Sequence, residues 1–344
     1  MKKSLTGHGL KSFQFVCWLV IATMGVATAD DPKSIVAGLR LIAHDSLAPI
    51  VDDRPDASDC IDGLRWVPTE FDVSIDAAIG KHGDWLVRFP SPIPTEDLVN
   101  DRVAMEWCLA KDKSKNPILA PAVVIVHESG SGMTVGRLIA SGLSRKGVHS
   151  FMLQLPHYGL RRGPQGKPTG NDVFQAMKQG VADVRRARDA VAKLPYVDAS
   201  KIGLQGTSLG GFVASTSGSL DGCFHRVFIL LAGGDLHEIL MKGKKDAENL
   251  RDELARSGID DAQLQLLLNG IEPLRLAHRL NPTKTWLFSG MYDDVVPIEN
   301  ARRLANAIGL DPAHHVIMEA DHYSGIVFMP TIAKTIVDEL NASP

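Results

Sequence analysis

The chain has 344 residues, 44% of them hydrophobic and 22% charged. That balance excludes disorder, collagen and a small disulfide scaffold, and leaves one globular unit with a large core as the default. The 37 basic against 40 acidic side chains and the formal net charge of −3 argue against nucleic acid or an anionic membrane surface as the main partner, since both want a concentrated basic face.

Residues 1–29 read as a signal peptide. Lys2, Lys3 and Lys11 precede an apolar run over residues 13–26, and Ala27-Thr28-Ala29 supplies the small residues of a cleavage site after Ala29. The competing reading is a retained anchor, but the run is shorter than the roughly 20 apolar residues a spanning helix needs. The expectation is therefore a secreted or periplasmic protein with no stable membrane insertion after cleavage. Cleavage removes three lysines and no acid, moving the formal net charge from −3 to −6. Cys17 lies inside the apolar run, and Cys60, Cys108 and Cys223 remain in the mature chain. In an oxidising compartment these allow one disulfide; Cys60 with Cys108 is expected, because both precede the main repeating pattern.

Residues 30–60 hold Pro32, Pro49, Pro55 and a patch of Asp, and predict an irregular N-terminal arm. Short alternating stretches at 71–75, 85–89 and 103–110, separated by Gly and Pro clusters, predict antiparallel edge strands. The arm and these strands make up residues 30–115, ahead of a catalytic core at 116–344. From residue 121 the texture changes: "AVVIVHESGSG" is a continuous β-branched run ending in a Gly/Ser loop, as in a strand buried on both faces. Further strands are predicted at 150–155, 202–205, 227–231, 285–289 and 316–319. Between most of them lie helical patterns, clearest over 173–194, where Val173, Met177, Val181, Val184, Ala187 and Val191 share a face. The fold class is therefore α/β, a mostly parallel central sheet with helices on both faces.

Residues 235–281 are too long for one crossover and read as several helices. Asp260 with Gln263 three residues on marks an N-cap, and Gly258 and Gly270 sit where C-caps would. The segment is read as a helical cap inserted between two strands; plain packing on the outer face of the sheet is the competing reading.

Gly206-Thr207-Ser208-Leu209-Gly210 joins a predicted strand to a predicted helix. A serine on so tight a turn has strained dihedrals, and side chains two residues before or after it would clash, so both flanks need glycine. Such a turn projects the hydroxyl above the C-terminal edge of the sheet, where ligands bind in open α/β folds. A serine alone is a poor nucleophile and needs a base oriented by an acid. Asp293 in "FSGMYDDVVP" follows the 285–289 strand and His322 in "EADHYSG" follows the 316–319 strand, each leaving the same sheet edge as Ser208. His314 and His315 precede that last strand and belong to the opposite edge. No C-x-x-C or H-x-x-x-H spacing occurs, and adjacent His314 and His315 cannot share a helix face as zinc ligands do. No metal site and no cofactor are expected.

With "GTSLGG", the G-x-x-D-x-x-V-P run of residues 290–297 and the Asp321-His322 pair in order, the chain resembles the α/β-hydrolase fold over roughly residues 115–340. The resemblance is to its branch of dienelactone-hydrolase and prolyl-oligopeptidase-related serine esterases. It implies Ser208 as nucleophile, His322 as general base and then acid, and Asp293 rather than Asp294 as the orienting acid. Dienelactone hydrolases use cysteine as nucleophile, so that activity is not implied.

The resemblance also implies an oxyanion hole from the N–H of Leu209 and, by position, that of Ser129. The family loop there usually begins His-Gly, whereas this chain has His127-Glu128-Ser129-Gly130; the Glu128 side chain is expected to turn away, either to a basic partner or to solvent. In "LPHYGLRRGP", Arg162-Gly163 resembles an Arg-Gly of related esterases. His127, Pro156, His157, Tyr158, Arg161 and Arg162 are candidates to line the substrate pocket, with Arg162 either binding a substrate anion or bracing the loop.

The function expected is an exported serine hydrolase acting on small-molecule or glycan esters, such as acylated polysaccharide. A prolyl-oligopeptidase-like peptidase competes, although the roughly 90 residues before the hydrolase region are too few for the β-propeller such enzymes carry. A catalytically silent binding protein on the same scaffold is the reading from another class, motivated by Glu128.

Overall fold

The computed structural model describes residues 35–164 and 166–342. The expected signal peptide and its cleavage site lie outside the described residues. The strands are β1 (Leu39–His44), β2 (Glu70–Ala77), β3 (Trp85–Pro90), β4 (Arg102–Cys108), β5 (Ala120–Val126), β6 (His149–Gln154), β7 (Val197–Thr207), β8 (Val227–Leu230), β9 (Thr285–Gly290) and β10 (His315–Met318). They form one sheet in the order β1-β2-β3-β4-β6-β5-β7-β8-β9-β10. The pairs from β1 to β4, and β4 with β6, are antiparallel; the six strands from β6 to β10 are parallel. After β5 the chain crosses to β6 on one side, and after β7 it crosses to β8 on the other. Loops leaving the C-terminal ends of β5 and β7 therefore diverge, opening a crevice at the point where the strand order reverses.

The helices are α1 (Pro55–Asp62), α2 (Thr134–Ser144), α3 (Asp172–Ala192), α4 (Leu209–Gly218), α5 (Leu236–Lys242), α6 (Asp246–Arg256), α7 (Asp261–Asn269), α8 (Pro273–Leu276), α9 (Ile298–Ile308) and α10 (Met329–Asn341). Along β5, Ala122, Val124 and Val126 bury into one apolar cluster with α1, α3, α4 and α9, while Val123 and Ile125 bury into another with α2 and α10. This alternation explains a strand that is apolar at nearly every position: both faces are covered. Each such fully buried Val or Ile contributes about 1.5–3 kcal/mol.

Residues 30–60, expected to be irregular, hold β1 and α1. Leu39 and Leu41 pack against the core and Ala43 is buried in it, with the residues between facing out. In α1, Ala57, Cys60 and Ile61 bury one stripe behind Pro55 in the first turn. Surrounding prolines and aspartates masked both elements, and those aspartates are part of what orders the arm. Asp45 pairs with Arg186 of α3 at 2.5 Å, and Ser46 donates its N–H and its hydroxyl to Asp189, each at 2.7 Å.

The expected Cys60–Cys108 disulfide does not form; both thiols are free. Cys60 belongs to the cluster on one face of the sheet and Cys108 packs against the other, so the sheet itself separates them. Burial pushes each thiol up to about 11.

Between β8 and β9, residues 235–281 form α5 to α8. Asp260 accepts from the Gln263 N–H at 2.8 Å as an N-cap, and Gly258 adopts φ +81 just past α6. Helices α5 to α7 build an apolar cluster of their own with Phe174, Val295 and Val296, while Leu276 of α8 joins the main core. Among the described residues no helix is long and apolar enough to cross a membrane.

Candidate active site

Strand β7 ends at Thr207 and α4 starts at Leu209, so Ser208 makes the turn alone, at φ 53 and ψ −116. A Cβ on Gly206 would stand 2.0 Å from the Gly210 carbonyl oxygen, and one on Gly210 would stand 2.2 Å from that of Val126. Only glycine fits at either place, and strain of about 1–3 kcal/mol is held at the serine.

His322, four residues past β10, and Asp293, three past β9, converge on this turn. The Ser208 hydroxyl donates to His322 Nε2 at 2.9 Å, and His322 Nδ1–H donates to Asp293 Oδ2 at 2.7 Å. The carboxylate partner assigns the proton to Nδ1 and leaves Nε2 as the acceptor. Asp293 is held in turn, its Oδ1 accepting from the N–H groups of Val295 at 2.9 Å and Val296 at 2.8 Å. Asp294 points elsewhere, pairing with Lys245 at 3.0 Å. Asp321 shapes the histidine loop, accepting from the N–H of Tyr323 and of Ser324. His315 contacts Ser289, and His314 contacts Asp311, both away from the serine.

Leu209 and Ser129 flank Ser208 at the start of α4 and beyond the end of β5; among the described residues neither N–H is donated to a protein acceptor. The Ser129 loop is pinned from two sides. Tyr158 donates its hydroxyl to the Ser129 carbonyl at 3.0 Å. Glu128 turns neither to a basic partner nor to open solvent. Its two carboxylate oxygens accept from the N–H groups of Val135 and Gly136, each at 3.1 Å, in the first turn of α2.

His127, a candidate pocket residue, is fully buried and structural. Its Nε2 accepts from the Leu155 N–H at 3.1 Å and its Nδ1–H donates to the Glu128 carbonyl at 2.6 Å, tying the loop after β5 to that after β6. Burial pulls its pKa down to about 4, below the ordinary 6.5. The folded protein thus binds fewer protons here than the unfolded chain, so stability is expected to fall as pH drops from about 6.5 toward 4, by about 3 kcal/mol for this group in full. Chemical denaturation at stepped pH checks this; His127→Gln should flatten the slope by about one proton.

A sequence profile described as the prolyl oligopeptidase family matches residues 173–327, somewhat under half of the chain. No curated protein sequence matches the chain. Among solved structures, acetyl xylan esterase 1 from a Thermoanaerobacterium species superposes with a TM-score of 0.60 at 15% identity, over 83% of this chain and 93% of its own. An acetyl xylan esterase from a Paenibacillus species gives 0.58 at 15% identity over 88% and 89%. A puromycin-hydrolyzing peptidase of Mycobacterium tuberculosis gives 0.52 at 17% identity, over 78% of this chain but 45% of its own. The chain has the α/β-hydrolase fold. The fold implied by the three motifs is therefore the fold found.

Two cavities meet at Ser208 and Ser129. One, of about 450 Å³, lies between α3, α4 and α5 to α7 and takes in Pro156, His157 and Tyr158. The other, of about 400 Å³, takes in Thr207, Leu231, His322 and Tyr323. Of the pocket candidates, His157 and Tyr158 line the first cavity, while His127 and Arg162 line neither. Arg162 is exposed, and among the described residues its one side-chain hydrogen bond is to the His157 carbonyl at 3.4 Å. Bracing falls instead to Arg161, which is wholly buried. It donates to the carbonyls of Asn100 at 2.8 Å and Gln154 at 3.0 Å, and pairs with Asp183 at 2.7 Å.

The helices between β8 and β9 supply a wall of the first cavity that no motif indicated, including Ala247, Leu250 and Leu254. Their i, i+3, i+7 spacing on α6 was the available signal. Among the described residues no group of three or more His, Cys, Asp or Glu side chains is placed to hold a metal ion.

Proposed function

We propose that the chain hydrolyses carboxylic esters through an acyl-enzyme on Ser208. His322 acts as base and then acid, and Asp293 holds the imidazole. The observation that carries this is the unbroken relay of 2.9 and 2.7 Å from hydroxyl to imidazole to carboxylate. Beside it stand the N–H groups of Leu209 and Ser129, which among the described residues have no protein acceptor. His322 takes the Ser208 proton as Oγ bonds to the ester carbon, and the two N–H groups receive the charge developing on the carbonyl oxygen. Collapse of that intermediate breaks the bond to the alcohol oxygen, which leaves with the proton from His322. Water, deprotonated by His322, then displaces Ser208 and releases the acid. These steps use protein groups and water alone, with no cofactor.

Export, and an acylated extracellular polysaccharide as substrate, belong to the same proposal. They are supported by the leader pattern of residues 1–29 and by two acetyl xylan esterases among the structural neighbours. The family match and the puromycin-hydrolyzing neighbour favour a peptidase as the second reading. The silent-scaffold reading loses its motive, since Glu128 is committed to α2.

The test is a fluorophosphonate probe on the purified protein, its label located by mass spectrometry, with p-nitrophenyl esters and aminoacyl arylamides assayed in parallel. Labelling at Ser208 with turnover of esters and not of arylamides is the expected result. Arylamide turnover favours the peptidase, and a folded protein that neither labels nor turns over an ester rejects the hydrolase.

A further inference from the structure

The two cavities at Ser208 differ in a way that assigns the halves of the substrate. This assignment rests on the ester-hydrolase reading above. The departing alcohol oxygen takes its proton from His322 Nε2, so it must lie within hydrogen-bond reach of that atom. His322 lines the 400 Å³ cavity and not the 450 Å³ one. The alcohol therefore occupies the His322 side, and the substituent on the carbonyl carbon extends the other way, into the larger cavity.

That larger cavity is built for hydrocarbon. Every one of its lining residues that is buried is apolar, among them Phe174, Leu240, Leu254, Leu268 and Val296. Of its charged lining residues, Lys167 and Asp246 are exposed and Glu253 is half-buried. An apolar cavity of about 150 Å³ holds one benzene, and 450 Å³ is three times that. A methyl group would leave most of it empty, whereas a chain of about eight to twelve carbons uses it while its carbonyl stays at Ser208.

We propose that the 450 Å³ cavity between α3, α4 and the inserted helices is the acyl pocket, and that the preferred substrates are esters of medium-chain apolar acids rather than acetyl esters. The alcohol leaves through the His322 cavity. Each methylene moved from water into such a pocket raises kcat/KM by about fourfold.

The experiment compares p-nitrophenyl acetate, butyrate, octanoate and decanoate, and separately methyl octanoate against octyl acetate. The expected result is a kcat/KM for octanoate at least about 50-fold above acetate, with methyl octanoate hydrolysed faster than octyl acetate. In Ala176→Trp, which fills the cavity from α3, the octanoate-to-acetate ratio should fall at least about tenfold. Preference for acetate, or for octyl acetate, overturns the pocket assignment while leaving the esterase intact. Absence of turnover of every ester, with no label on Ser208, overturns the underlying reading instead. The chain-length series on the unmodified protein decides the matter even if Ala176→Trp does not fold.

Discussion

Ser208→Ala is expected to lower kcat for any ester the protein turns over by about 10⁴–10⁶-fold, with the fold intact. Among the described residues the hydroxyl makes one hydrogen bond, at 2.9 Å to His322, and the methyl left behind fits the same turn. What remains is the N–H pair and substrate binding, worth about 10³–10⁴-fold over water. Because the backbone strain at φ 53 is unchanged, the melting midpoint should move by no more than about 2 °C, a ΔΔG of under about 1 kcal/mol. Turnover of p-nitrophenyl esters within tenfold of the unmodified protein would falsify Ser208 as nucleophile.

The largest effect on stability is expected at Arg161→Met. Arg161 and Asp183 are both fully buried, 2.7 Å apart, and burial pushes the Asp183 carboxyl up despite the guanidinium beside it. Removing the cation leaves a buried carboxylate with the Ser91 hydroxyl, at 2.6 Å, as its remaining hydrogen-bond donor, a loss of about 3–5 kcal/mol at neutral pH. The loss should shrink as pH falls and Asp183 takes a proton. Pairing the change with Asp183→Leu should restore much of the stability, since buried ion pairs replaced whole by apolar groups cost little. Urea unfolding of the two single variants and the double variant reads this directly. If Arg161→Met loses under 1 kcal/mol, the pair is not what holds the loop at residues 155–163.

The central strands were legible in the sequence because burial on both faces leaves an unmistakable β-branched run, as at Val123–Val126. The serine, histidine and aspartate were legible because each sits on a loop leaving one edge of that sheet, a placement set by strand order. The pocket was not, since it is walled by α6 and α7, whose apolar stripes look the same whether they face a core or a cavity. The ordering of the arm was equally hidden: Asp45 reads as a loop residue until Arg186 is seen opposite it. Arg161 and Arg162 read alike in the sequence, yet in the tight turn one is buried and its neighbour faces solvent. Glu128 looked like a departure from chemistry because the first turn of α2, which it caps, begins several residues later.

An open sheet has two rims, and among the described residues this one ends on β1 and β10. Strand β10 is four residues long, too short a template for a foreign strand to read. Strand β1 is six, and it sets Arg40 and His44 on its exposed face, Arg40 in a 3.3 Å pair with Asp76 of β2. Brevity at one rim and charge at the other discourage copies of the chain from zipping together edge to edge. The exposed Ile42 between those two polar side chains marks the spot where replacing Arg40 or His44 by an apolar residue would most directly invite aggregation.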